Sequence, residues 1–297
     1  MPATVGVVGL GIMGSAYAGH FVAGGCTTLG CDVDPAAVER LRARGGEGVA
    51  SAAEAARRSE LVMTALPSAA AFEAALFGED GIAAGAHPGL VVVEASTLPL
   101  RTKLAARERA ARYGFDLLDA PVSGTGSQAA VRDIAIYASG ERAAYERALP
   151  LLEHVARAVR YVGAFGNGSK LKYIANLLVT IHNLSTAEAV VLAQKAGLDP
   201  LEMLEVVADG AGGSRMLQVR GPMMAAGRYD EPTMKLDVYQ KDIEIIGDFA
   251  QEVGAPTPLF TQSTIFYTAA LAQGRAKQDT AAIASILKTM AGLPADP

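Results

Sequence analysis

The segment Gly9-Leu10-Gly11-Ile12-Met13-Gly14 follows a short β-rich run, Thr4 to Val8, and opens an apolar helical pattern that reaches about Ala23. A G-x-G-x-x-G at a strand-to-helix turn leaves few choices of fold. The first glycine permits the tight turn, the second lets the backbone approach a pyrophosphate, and the third lets helix and strand pack closely. The helix N-terminus then offers unpaired N–H groups and the positive end of a dipole to phosphate. Glycines also mark ordinary turns, so the spacing alone is a weak sign; its place after the first strand strengthens it. Asp32 lies 18 residues beyond Gly14, at the end of a second apolar run that begins at Thr27. A carboxylate there accepts hydrogen bonds from an adenosine ribose and repels a 2′-phosphate. No arginine sits beside it, so the expected cofactor is NAD in preference to NADP. Asp34, just before Pro35, is the better candidate to cap the next helix.

Apolar runs at Leu61 to Ala65, Leu90 to Glu94 and Ile134 to Ala138 alternate with helical stretches, and Leu117-Leu118 lead into D-A-P-V-S-G at 119 to 124. Strands separated by helices imply crossover connections and a parallel sheet. The pattern then changes. From about Gly168 to Ala196 a nearly continuous apolar face predicts one helix of ~40 Å, at 1.5 Å per residue, closed by Gly197 and Asp199-Pro200. Further helices are expected at Pro200 to Ala208, Met234 to Val253, Pro258 to Gln273 and Asp279 to Ala291. The predicted fold is therefore α/β: a Rossmann-type doubly wound sheet in residues 1–164, then an all-α domain in residues 165–297, joined by the long interdomain helix.

Composition narrows the partners. Hydrophobic residues make up 51% and charged residues 19%, which fits a filled globular core, and tryptophan is absent. The formal charge of -5, with no basic run, argues against nucleic acid. Cys26 and Cys31 read as small buried apolar residues rather than a disulfide. No His, Cys, Asp or Glu cluster has metal-ligand spacing, so no metal is expected. With no basic leader and no uninterrupted apolar run of ~18 residues, the expectation is a cytoplasmic protein without a membrane partner.

The chemistry points to Lys172, in G-N-G-S-K-L-K-Y-I-A-N at 166 to 176. Asn176 lies four residues on, on the same helix face. Leu171, Tyr173, Ile174, Leu177 and Leu178 make the surroundings apolar, and burial favours the neutral form of an amine, which then serves as a base. Most lysines are solvated instead, and Lys170 is expected to be one of those. Of the four histidines, only His182 lies on this helix; a core or interface role suits it best.

The chain resembles the β-hydroxyacid dehydrogenase family, which includes 3-hydroxyisobutyrate dehydrogenases, semialdehyde reductases and threonate-type dehydrogenases. The resemblance spans nearly the whole chain. It rests on G-L-G-I-M-G at 9, L-P at 66, S-T-L-P at 96, D-A-P-V-S-G at 119 and the lysine segment, with Q-K-D at 240 as support. It implies an NAD(P)-dependent oxidoreductase that moves a hydride between the cofactor and a small, 3-hydroxyisobutyrate-like 3-hydroxy acid or its semialdehyde or keto form. The roles it implies are Lys172 as general acid/base, Asn176 holding substrate, and Ser123 and Gly124 binding the carboxylate. Leu66, Pro67, Thr97 and Lys241 would lie by the cofactor, with Asp242 near the substrate. It also implies a homodimer or homotetramer formed through the helical domain. Thr125 replaces a second glycine common among relatives, and Gln128 and Arg132 stand where relatives often have glycines. Thr125 then either adds a hydroxyl to the carboxylate site or narrows it. Arg215, in G-A-G-G-S-R-M, is a candidate for a second substrate group or an ordinary surface residue. Alternatives are reduction of tartronate or succinic semialdehyde, oxidation of a four-carbon sugar acid such as threonate, and a non-enzymatic cofactor-binding assembly module. The presence of both Lys172 and Asn176 argues against the last.

Overall fold

The structure, a computed structural model, describes residues 2–294 and 296. The chain divides into two compact units, Met1–Lys172 and Tyr173–Pro297.

In the first unit, runs rich in valine and leucine become strands buried on both faces, as parallel sheets require. Strands β1 (Thr4–Val8), β2 (Thr27–Cys31), β3 (Glu47–Gly48), β4 (Leu61–Thr64), β5 (Val91–Glu94) and β6 (Asp116–Asp119) form one six-stranded sheet, ordered β3-β2-β1-β4-β5-β6. Every pair is parallel. The order reverses between β1 and β4, and ligands of such sheets bind off the strand ends at that point. The crossovers are α1 (Ile12–Ala23), α2 (Pro35–Arg42), α3 (Ala52–Arg58), α4 (Ala69–Phe77), α5 (Ile82–Gly85) and α6 (Leu100–Tyr113). Side chains close their first turns: Asp34, Ser51 and Ser68 accept from Ala36, Glu54 and Ala71 N–H. Asp34 thus caps α2, as its place before Pro35 suggests. Val5, Val7, Leu61, Met63, Val91 and Val93 pack against Tyr17 and Phe21 of α1 in one buried cluster. Each such side chain contributes roughly 1.5–3 kcal/mol of transfer free energy.

A single parallel sheet is not the whole of this unit. Strands β7 (Val122–Ser123), β8 (Ala135–Ala138) and β9 (Ala158–Tyr161) form a second sheet with helices α7 (Gly126–Ala130) and α8 (Arg142–Val155). Here β7 runs antiparallel to β8, and β8 parallel to β9. The chain leaves the main sheet at Pro121, which has no N–H to give a ladder.

The remaining helices are α9 (Asn167–Lys195), α10 (Pro200–Ala208), α11 (Arg215–Ala226), α12 (Leu236–Glu252), α13 (Pro258–Ala272) and α14 (Ile283–Met290). The unit boundary falls inside α9. Helix α11 carries Gly221 and Pro222, which read as breakers; a Cβ at Gly221 would press on Leu204 of α10, so the glycine serves a close helix contact. Interrupting polar residues do not stop α9 from having the length and composition of a membrane span. Yet Asn176, Thr180, Asn183 and Thr186, spaced three or four apart, are buried. The Thr180 hydroxyl lies 2.9 Å from the Tyr239 hydroxyl, and the Asn183 amide donates to the Tyr267 hydroxyl and the Thr280 carbonyl. A buried stripe of polar residues that hydrogen-bond to neighbouring helices is the mark of a core helix rather than of one facing lipid.

The helical unit also holds a buried ion pair, Arg220 with Asp279, at 3.1 Å. Asp279 further accepts from Thr233, Met234 and Ala281 N–H and the Thr233 hydroxyl. Burial pushes this carboxyl up, but Arg220 and these donors outweigh it and hold it below its ordinary 3.8. Its stabilisation is therefore present above pH 3.8 and lost as pH falls through the lower, folded value. Asp279→Asn should lower Tm at pH 7, and the deficit should shrink in thermal melts at pH 3. A deficit of equal size at both pH values would show that the charge is not what stabilises.

Candidate active site

The nucleotide-binding unit shows why three glycines stand where they do. Gly9 has φ +88°, and a Cβ there would strike the Ala65 carbonyl oxygen. A Cβ on Gly14 would strike the Gly9 carbonyl oxygen. Gly11, by contrast, faces open space: a Cβ there would meet no protein atom within 4 Å. It precedes α1 with no side-chain cap on the helix. Packing thus accounts for Gly9 and Gly14, while Gly11 leaves a cradle of free N–H groups suited to a pyrophosphate. The residues present fit a dinucleotide. Leu10 is buried, and Ile12 and Met13 start the helix. The Asp32 carboxylate accepts from Leu10 N–H (2.5 Å) and Asp34 N–H (2.8 Å), so it fixes the glycine loop as well as ending β2. Each oxygen keeps a lone pair for a further donor. Arg40 pairs with Asp34 at 3.5 Å, exposed to solvent.

Leu66-Pro67 follows β4, and Ser96-Thr97 follows β5. Ser96 does not cap the next helix, whose N-cap is Pro99 with no side-chain bond. Its hydroxyl instead accepts from Leu66 N–H at 2.8 Å and holds the two loops together.

In the D-A-P-V-S-G segment, Ser123 ends β7 and is partly exposed. Gly124 has φ +143°, and a Cβ there would press on Ile134. Thr125 caps α7 in a reciprocal box: its hydroxyl accepts from Gln128 N–H, and the Gln128 side chain accepts from Thr125 N–H. Two of the three departures from the glycine-rich pattern, Thr125 and Gln128, are therefore one structural feature. Thr-x-x-Gln ahead of a short helix is the sequence signature that could have identified this box. The Thr125 hydroxyl also lies 2.9 Å from that of Ser127.

Lys172 is 9% exposed on α9, and Asn176, one turn further on, is 6% exposed. In the helical unit, Asn176 donates to Asp242 Oδ2 (2.8 Å), whose Oδ1 accepts from Lys241 (2.8 Å). The Asn176 carbonyl accepts from the Tyr239 and Thr180 hydroxyls. Tyr239 is a residue that sequence reasoning missed; a tyrosine in an amphipathic helix carries no signal of this contact. His182 is partly buried and its carbonyl accepts from the Thr186 hydroxyl. Arg215 begins α11 and is exposed. Among the described residues there is no group of three or more His, Cys, Asp or Glu that could hold a metal. Burial, with Asp32 and Glu54 nearby, pushes the Cys31 thiol up to about 12, which makes it a poor nucleophile.

The chain is similar to known proteins over almost its whole length. Residues 4–163 match the model of the NAD binding domain of 6-phosphogluconate dehydrogenase. Residues 166–287 match that described as NAD-binding of NADP-dependent 3-hydroxyisobutyrate dehydrogenase. An L-threonate dehydrogenase of Cupriavidus necator is 34% identical over 287 residues, 96% of each chain. One from Escherichia coli K12 is 35% identical over 284 residues, covering 95% of this chain and 94% of its own. A solved 3-hydroxyisobutyrate dehydrogenase of Salmonella typhimurium, 34% identical, superposes with a TM-score of 0.86 over 96% of this chain and 99% of its own. The glycine cradle, the helical unit and these similarities together place the chain in the β-hydroxyacid dehydrogenase family, as an NAD(P)-dependent oxidoreductase acting on hydroxy acids.

Proposed function

We propose that the chain oxidises a short hydroxy acid with NAD, that Lys172 is the general acid/base, and that the substrate is a four-carbon sugar acid of the L-threonate kind. The observation that carries the reading is Lys172 itself: a lysine 9% exposed, one helical turn from an asparagine whose amide is held by Asp242. A solvated surface lysine would not be buried to this degree.

Lys172 in its neutral form takes the hydroxyl proton as the carbon gives up hydride, and returns it from the ammonium in the reverse direction. The bound nicotinamide supplies the hydride acceptor. Asn176 binds the substrate hydroxyl, with its orientation set by Asp242. Ser123 and Gly124 bind the carboxylate, and Thr125 shapes that loop through its bonds to Gln128. Leu66, Pro67, Thr97 and Lys241 line the cofactor. The Asp32 carboxylate takes the ribose hydroxyls and opposes a 2′-phosphate.

The L-threonate dehydrogenase relatives support the sugar-acid class. The name of the Salmonella structure favours a second reading, 3-hydroxyisobutyrate, with the same residues in the same roles. The reading includes a cytoplasmic homodimer or homotetramer, to which the exposed Ile174, Leu178 and Leu192 of α9 lend an apolar surface.

Absorbance at 340 nm with NAD or NADP, against threonate, 3-hydroxyisobutyrate, glycerate, serine and 4-hydroxybutyrate, tests the substrate. Threonate should give the highest kcat/KM; no rate with any acid would sink the dehydrogenase reading. Lys172→Ala should lower kcat by about 10²- to 10⁴-fold while NADH still binds, as read by its fluorescence. Near-normal turnover would remove Lys172 from the chemistry. NAD should be preferred, and Asp32→Asn should narrow the gap to NADP; equal use of both cofactors by the unaltered protein would contradict the role of Asp32.

A further inference from the structure

Glu94, Lys103 and Asp119 are each 0% exposed in the nucleotide-binding unit, and the chemistry above uses none of them. Lysine is almost never fully buried unless paired. Lys103, in the first turn of α6, donates to the Ser96 carbonyl (2.7 Å) and Asp119 Oδ1 (2.9 Å), and lies 3.9 Å from Glu94 Oε1. Ser96 is the residue that holds the Leu66 loop, and its own N–H donates to Glu94 Oε1 at 2.7 Å. The Thr64 hydroxyl donates to the other Glu94 oxygen.

Asp119 carries the network to α9. Its Oδ1 also accepts from the Ser169 hydroxyl (2.7 Å), and its Oδ2 from Ser169 N–H (2.8 Å) and the Ser139 hydroxyl (3.1 Å). The Ser139 hydroxyl accepts in turn from Gly168 N–H at 3.0 Å. Gly168 permits this approach, since a Cβ there would strike the Tyr137 and Asp119 carbonyl oxygens. A carboxylate at the free N–H groups of a helix start, with both oxygens doubly engaged, fixes the rotation and advance of that first turn. Lys172 lies three residues beyond Ser169 on the same helix. Buried ion pairs contribute little net stability compared with apolar packing. Stability is thus a weak reason for a fully buried lysine here, and positioning is a strong one, because a misplacement of about 1 Å costs on the order of 10²-fold in rate.

We infer that Asp119 and Lys103 are positioning residues for the reaction: Asp119 fixes the first turn of the helix that carries Lys172, and Lys103 ties that carboxylate to the Ser96 loop. The inference rests on Lys172 being the acid/base. Asp119→Asn, Ser169→Ala and Lys172→Ala would be compared in the full chain, using the fastest acid of the panel. The measurements are kcat, KM for the acid, NADH binding by fluorescence, and Tm. Asp119→Asn should lower kcat by about 10- to 100-fold and Ser169→Ala by less, with KM and NADH binding within about twofold. A merely structural role would lower Tm and leave kcat per folded molecule unchanged, and that result overturns the inference while Lys172→Ala remains inactive. Activity in Lys172→Ala would overturn the proposed function and this inference with it. Should Asp119→Asn not fold, Ser169→Ala decides by the same criterion.

Discussion

The Asp119 carboxylate is where the nucleotide-binding unit is tied together. It stands at the end of β6, and its four hydrogen bonds reach α6 through Lys103, the second sheet through Ser139, and the start of α9 through Ser169. A main-chain bridge between Asp119 and Ser139 runs alongside. Removing water from this charge is tolerable only because every donor needed is supplied. Glu94 beside it is also fully buried, and burial pushes its carboxyl up even with Lys103, Thr64 and Ser96 nearby.

The glycines divide the labour differently. Gly9, Gly14 and Gly168 exist for the protein's own packing, because a methyl group at each would meet a carbonyl oxygen. Gly11 has no such neighbour. Packing therefore gives no reason for a glycine there, and the proposed cofactor role does. In the helical unit the equivalent anchor is Asp279, which holds Arg220 and the segment around Thr233.

Much of the local structure around the candidate site residues was legible in the sequence because its signals are local. The glycine spacing, Asp32 at a strand end, Asp34 before a proline, and Lys172 and Asn176 four apart all follow from turn geometry and helix periodicity. The second sheet was not legible: Ala158–Tyr161 is short and mixed, and β7 has two residues. Helix α11 was hidden by Gly221 and Pro222, whose tolerance depends on a neighbouring helix. Lys103 lies among Arg101, Arg107 and Arg109 in what reads as a solvated charged helix, and nothing in its neighbours marks it as buried.

The sequence by itself determined the strand-helix alternation, the nucleotide cradle, the long helix and the family of chemistry, because each rests on residues close together along the chain. Only the tertiary structure decided which charges are buried and whom they meet: Lys103 with Asp119 across 16 residues, Ser169 with Asp119 across 50, Asn176 with Asp242 across 66. Those pairings depend on how the sheet orders its strands and how the helices pack, and a polar side chain gives no local sign of the partner that burial will require of it.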